Sequence, residues 1–309
     1  MPQAGDLVFP LIPSRRSRAL EIAGRASRRR GSGDEIAGSR PYRRGDAIRL
    51  IDWAASARLS TARGSDEFVV RDHFAEDAIR VVVVLDRGPT MALFPESLPW
   101  LHKPLAARAA AAMIVASAAA VDGLVGFAAA GATEVRIDRP RRDREARRVI
   151  EQRLKSSLPD GPEGSVNHAL DALLRRRSNG VPPGTFVFVV SDFLPAPSTE
   201  RLRAAIAAGW DVVPVVVQDP LWERSFPDVA GVTLPLVDPL DGGLAVVRLS
   251  RAEARARREA NEQRADLLEH EFAELGLDSV LLTTSDARVV HGEFTVWAER
   301  RAVPGRGRA

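Results

Sequence analysis

A chain of 309 residues with 45% apolar and 28% charged side chains is long enough for one large or two small domains around a sizeable core. Cysteine is absent, which excludes disulfides, a thiolate nucleophile and cysteine-held metals. The net charge is only +3, and all but two of the 44 basic residues are arginine, a bias that points to a GC-rich coding sequence more than to phosphate recognition.

Residues 1–30 carry Arg15, Arg16, Arg18, Arg25 and the run Arg28–Arg30, and read as a basic N-terminal arm with a short helix over Ala19–Ala26 as the alternative. Residues 1–14 and 303–309 lack patterned apolar residues and are expected to fray. Residues Gly31–Arg71, within the segment 31–78, have no clean helical or strand period. Within them Arg40–Arg58 reads R-P-Y-R-R-G-D-A-I-R-L-I-D-W-A-A-S-A-R, a dense mixture of Arg, Asp, Gly and Trp that an amphipathic segment does not need. Ile51 and Trp53 are its expected apolar anchors. Arg40, Tyr42, Gly45, Asp46, Arg49, Asp52, Ser56 and Arg58 form with Trp53 an expected polar network pinning the segment to the domain, with Asp52 and Arg58 as a partly buried pair.

From Ile79 strands and helices alternate. Ile79–Leu85, Thr185–Val190 and Asp211–Val217 are apolar throughout, as parallel strands covered on both faces are. Gly123–Ala129 is a further strand and Thr133–Ile137 an edge strand. Leu105–Val121, opened by Pro104, reads as a buried helix, and Arg142–Leu158, Val166–Arg177 and Ser198–Ala208 as helices, the last with Ser198 as N-cap. Val232–Val237 and Leu244–Leu249 read as a hairpin. Ser250–Leu275 is a long charged helix stopped by Gly276, Ser279–Thr283 a last strand, and Asp286–Arg300 is ambiguous. No run reaches the ~18 uncharged apolar residues of a membrane span, and no apolar leader segment opens the chain. A soluble, cytoplasmic protein is expected.

The segment Gly31–Arg58, G-S-G-D-E-I-A-G-S-R-P-Y-R-R-G-D-A-I-R-L-I-D-W-A-A-S-A-R, followed by an apolar strand ending on Asp86, resembles the signature of the bacterial domain of unknown function fifty-eight, a family similar to the von Willebrand factor A domain. The resemblance implies an α/β fold, a doubly wound, mostly parallel sheet. The core would comprise 79–219 and 251–300, with 31–78 packing with 220–250 as a small β-rich addition and 301–309 as a tail. It also implies work beside a MoxR-type AAA+ ATPase, as a non-enzymatic interaction module in assembly or remodelling of other proteins. A metal-assisted hydrolase and a basic-arm binder of nucleic acid or anionic surfaces are the alternatives.

The resemblance further implies a Mg²⁺ site of hydroxyls and carboxylates from three loops, the first reading D-x-S-x-S. Here that loop reads Asp86-Arg-Gly-Pro-Thr90. Asp86 and Thr90 match, and Gly88 stands where a serine is expected. Ser165 matches the second loop and Asp192 the third. Arg87 is placed to neutralise Asp86 instead of a metal. The other reading of the two aspartates is structural, as caps of nearby helix N-termini paired with arginines. The five histidines are scattered without ligand spacing, and no phosphate-binding loop or nucleophile elbow occurs.

Overall fold

Strand-forming runs of valine and phenylalanine set the frame. In the computed structural model, which describes residues 4–14, 30–42, 51–64, 67–74, 78–93, 100–141, 148, 152–153, 160–175, 181–229, 231–238 and 243–303, the strands in chain order are β1 (Arg30–Pro41), β2 (Val69–Phe74), β3 (Arg80–Leu85), β4 (Leu124–Ala130), β5 (Val135–Arg141), β6 (Phe186–Ser191), β7 (Asp211–Val217), β8 (Thr233–Val237), β9 (Leu244–Arg248) and β10 (Val280–Leu282). The helices are α1 (Trp53–Arg63), α2 (Lys103–Ala120), α3 (Ser165–Arg175), α4 (Thr199–Ala207), α5 (Arg251–Leu275) and α6 (Ala287–Ala302). The chain divides into two compact units, one of Met1–Arg18 with Ile79–Ala309 and one of Ala19–Ala78.

The larger unit holds a six-stranded sheet in the order β10-β7-β6-β3-β4-β5. All neighbours are parallel except β4 and β5 at one edge. This is the doubly wound order: the chain runs outward from β3 through β4 to β5, then returns to the other side of β3 with β6, β7 and β10. The direction reverses between β3 and β6, and that is where such sheets place their sites. The α/β class expected from the sequence is the class observed.

Because side chains alternate across a strand, β3 serves two cores at once. Val81, Val83 and Leu85 pack on the face covered by α2 and α6. Val82 and Val84 pack on the face covered by α3, α4 and α5. β6 divides likewise, with Phe186, Phe188 and Val190 on the first face and Val187 and Val189 on the second. Each such residue contributes about 1.5–3 kcal/mol by leaving water, which anchors the carboxyl ends of β3 and β6 firmly. α2 is long and apolar enough to cross a membrane by length and composition, but it lies in the core against the sheet.

The N-terminal residues depart from expectation. Phe9 and Leu11 are buried in the α2–α6 core. Phe9 stacks on Phe294 at 4.4 Å and meets Trp297 edge-on. The Phe9 amide donates to Ser117 Oγ at 2.9 Å and the Ser14 amide to Asp211 Oδ2 at 2.7 Å. Phe9 and Leu11 are too few to show a period, so their docking is invisible until α6 is placed. The tail boundary also moves. α6 continues through Ala302, and Arg301 is buried, pairing with Asp211 and Asp278 at 3.1 Å each and covering the Trp297 ring. The Arg15–Arg30 arm and the helix expected over Arg142–Leu158 lie almost wholly outside the described residues.

β8 and β9 form a two-stranded antiparallel sheet within the larger unit. In the smaller unit β1 and β2 form another, with register shifts near Ile36. α1, which the sequence pattern did not reveal, is capped by Asp52, whose Oδ1 accepts from the Ala55 amide at 3.0 Å, and it stops at Gly64 in the left-handed conformation, φ 65°. The Ser56 hydroxyl donates to the Asp52 carbonyl at 2.7 Å and accepts from the Val69 amide at 2.9 Å, tying α1 to β2.

Candidate functional site at the sheet switch point

Of the signature residues, Gly45, Asp46 and Arg49 lie outside the described residues, and Arg40 is placed only as backbone in β1, paired with Val70. Asp52 and Ser56 are structural, as described above. Arg58 bonds to the Ala54 carbonyl of its own helix at 3.2 Å, not to Asp52, so the expected Asp52–Arg58 pair is corrected. Trp53 is 60% exposed and touches Phe68 only edge to face, as Tyr42 does. It is not the buried anchor expected. A tryptophan in the first turn of a short helix is placed by helix phase, and here the phase directs Ser56 inward instead.

The four residues expected to surround a metal do converge at the carboxyl ends of β3 and β6. Asp86 follows β3. Its Oδ1 accepts from Ser165 Oγ at 2.5 Å and from the Gly88 amide at 2.7 Å, and its Oδ2 accepts from Ser191 Oγ at 2.5 Å. Ser165, at the start of α3, also accepts from the Arg87 amide, and Ser191 accepts from the Phe193 amide. Ser191 was not anticipated. It is the last residue of β6, beside Asp192, and the only clue was a hydroxyl ending an apolar strand.

Thr90 directs its hydroxyl to the Leu194 carbonyl at 2.9 Å. Asp192 is wholly buried, with Oδ1 accepting from the Leu194 amide at 3.0 Å. Its Oδ2 lies 2.8 Å from Lys103 Nζ, also wholly buried, at the first turn of α2. The same ammonium pairs with Glu223 Oε1 and donates to the Thr90 carbonyl at 3.1 Å. Glu223 Oε2 accepts from the Asp219 amide at 2.8 Å. Burial raises the pKa of both Asp192 and Glu223, and the Lys103 charge opposes that rise in each.

The cation at this site is therefore Lys103 on Asp192, and not Arg87 on Asp86 as expected. Arg87 turns away to Asp160 at 2.5 Å, in a segment where Gly161 is required, since a Cβ there would stand 2.4 Å from the Ala130 carbonyl. A single lysine in the first turn of an Ala-rich helix carries no sequence signal of this role.

This donor set does not fit Mg²⁺ as arranged. The ion takes about six oxygens in near-octahedral order. Position 88 offers no hydroxyl, and a Cβ there would lie 3.1 Å from Asp86 Oδ1. Both Asp86 oxygens hold hydrogen bonds, and the third-loop acid carries a fixed ammonium. Among the described residues no group of three His, Cys, Asp or Glu stands together as a ligand set.

Above these residues opens a cleft of about 350 Å³ lined by Asp86, Gly88, Thr90, Glu163, Val166, Asn167, Leu194, Pro195, Pro197 and Asp238. Phe193 has a left-handed backbone, φ 56°, rare for a bulky residue, and it is held there by the Ser191 hydroxyl and by its own burial. The Leu194–Pro195 peptide is cis.

The fold is a doubly wound α/β domain with a mostly parallel six-stranded sheet and a loop site at its switch point. The chain belongs to the family described as Protein of unknown function DUF58, whose model matches residues 38–267. Uncharacterized protein Mb1516 of Mycobacterium bovis and uncharacterized protein Rv1480 of Mycobacterium tuberculosis are each 29% identical to it over 208 residues, 66% of this chain and 61% of theirs. The match thus spans less than two thirds of those relatives. Among solved structures, the conserved hypothetical protein BatB from Bacteroides thetaiotaomicron is similar over 72% of this chain and 99% of its own, at 19% identity and a TM-score of 0.43. The pilus adhesin SpaC from Lactobacillus rhamnosus GG is similar over 74% and 31%, at 9% identity and a TM-score of 0.41.

Proposed function

We propose that this chain is a non-enzymatic protein–protein interaction module, an adaptor that works with a MoxR-type AAA+ ATPase in assembling or remodelling other proteins. The observation that carries this reading is the state of the carboxylates at the switch point. Asp86 is engaged by two hydroxyls and an amide, and Asp192 by a buried ammonium. Groups so engaged serve to shape loops. What they leave for a ligand is a cleft whose apolar wall is Val166, Leu194, Pro195 and Pro197 and whose rim includes Glu163 and Asn167. A preshaped apolar surface with a few polar groups binds at low ordering cost.

The test is binding of the full chain to a purified MoxR-type AAA+ ATPase, measured by titration calorimetry. Glu163→Arg and Pro197→Asp are expected to weaken the complex about tenfold or more, as substitutions at the centre of an interface do. Failure to bind, or a complex indifferent to both substitutions, overturns this reading.

A further inference from the structure

We propose that the Lys103 ammonium is the built-in cation of this site, tying two of the three loops expected to hold a metal, those of Thr90 and Asp192, to the loop after β7, so that the cleft is assembled without metal. The geometry is that of a cross-link. An ammonium has three protons, and here they meet three acceptors from three loops: the Thr90 carbonyl after β3, Asp192 after β6 and Glu223 after β7. These strands are neighbours in the sheet order β7-β6-β3, so one buried charge ties their carboxyl ends together.

The residue type fits the task. Arginine outnumbers lysine throughout, and Lys103 is one of two lysines in the chain. A guanidinium is a planar fork suited to bidentate contacts, whereas an ammonium is a compact point charge with tetrahedral donors. Three acceptors converging from different loops need the second. Two further observations agree. Gly88 removes the hydroxyl that a metal would use. Asp192 is closed to solvent, while Glu223 is brought in by a loop whose Gln218 side chain also donates to the Asp192 carbonyl at 2.7 Å.

The experiment is made on the isolated full chain, so its result is independent of any partner. Melting curves and Mn²⁺ titrations are recorded for the wild type, Lys103→Ala and Lys103→Ala/Asp192→Asn. The wild type is expected to melt at one temperature in Mg²⁺, Mn²⁺ or EDTA and to show no Mn²⁺-induced NMR broadening of Thr90, Ser165 or Asp192 amides. Lys103→Ala is expected to melt lower and to regain part of the loss as Mn²⁺ is raised, by linkage of stability to bound ligand. The added Asp192→Asn is expected to abolish that recovery. A wild-type Mn²⁺ response at those amides, removed by Thr90→Val, overturns the proposal, and this arm stands even if the Lys103 variants do not fold. A Lys103→Ala protein that melts like the wild type, or one that melts lower and gains nothing from Mn²⁺, overturns it also.

Discussion

Lys103, Asp192 and Glu223 show how a buried charge is made tolerable. Each ion costs several kcal/mol to desolvate, and removing one partner strands the others. Lys103→Met is therefore expected to destabilise the chain by about 3–5 kcal/mol in chemical denaturation. Its pH dependence has a definite sign. Burial holds the Asp192 and Glu223 pKa values above the ordinary carboxylate range, and Lys103 restrains the rise. A raised carboxyl keeps its proton longer in the folded than in the unfolded chain, so folding gains below the raised pKa and loses as pH climbs through it. Without Lys103 both values rise further. The penalty of Lys103→Met should thus be smaller at about pH 5 than at about pH 8, and a penalty that shrinks with rising pH would refute the charge account. In the smaller unit the contrast is between Trp53 and Ser56. Trp53 is mostly exposed, so Trp53→Ala is expected to cost less than about 1 kcal/mol. Ser56→Ala strands the buried Val69 amide and is expected to cost about 1–3 kcal/mol. The reverse order in unfolding midpoints would show that the signature is anchored by its tryptophan.

At the scale of elements, local signals and burial act together to different degrees. α5 is mostly exposed and begins with a capping box between Ser250 and Glu253, then ends at Gly276 with φ 68°. Such a helix leans on its ends, and Ser250→Ala is expected to cost about 1 kcal/mol, read from the denaturation midpoint. A midpoint unchanged by that substitution would mean that packing of Ala265, Leu268 and Phe272 alone holds it. β3, β6 and β7 were plain in the sequence because their apolar runs have no other use. β7 has the bounds expected, Asp211–Val217. α1 was missed because its sequence, W-A-A-S-A-R-L-S-T-A-R, has almost no apolar face. Only its cap at Asp52 and its bond to β2 mark it as a helix.

Across the whole molecule, the N-terminal segment closes the α2–α6 core. Phe9 lies against Phe188, Phe294 and Trp297, contributed by β6 and α6. Phe9→Ala is expected to cost about 3–5 kcal/mol, as buried aromatic truncations do. Removing residues 1–14 should lower the melting temperature sharply, and a truncated chain as stable as the full one would show this docking to be peripheral.

The sequence by itself determined the α/β class, the apolar strands, the place of Asp86 and Asp192 at strand ends, and the family. Each rests on a short-range pattern: strand apolarity, a turn or cap residue, or a contiguous signature. The tertiary structure alone decided which cation meets Asp192, that Ser191 closes on Asp86, and that Phe9 and Arg301 are buried. Those facts join residues 89, 105, 285 and 90 positions apart, between Lys103 and Asp192, Ser191 and Asp86, Phe9 and Phe294, and Arg301 and Asp211. A lysine in the first turn of a helix reads as solvated until the sheet order β7-β6-β3 brings two carboxylates and a carbonyl around it. Pairing is a property of the assembled loops, and one-dimensional spacing holds no record of it.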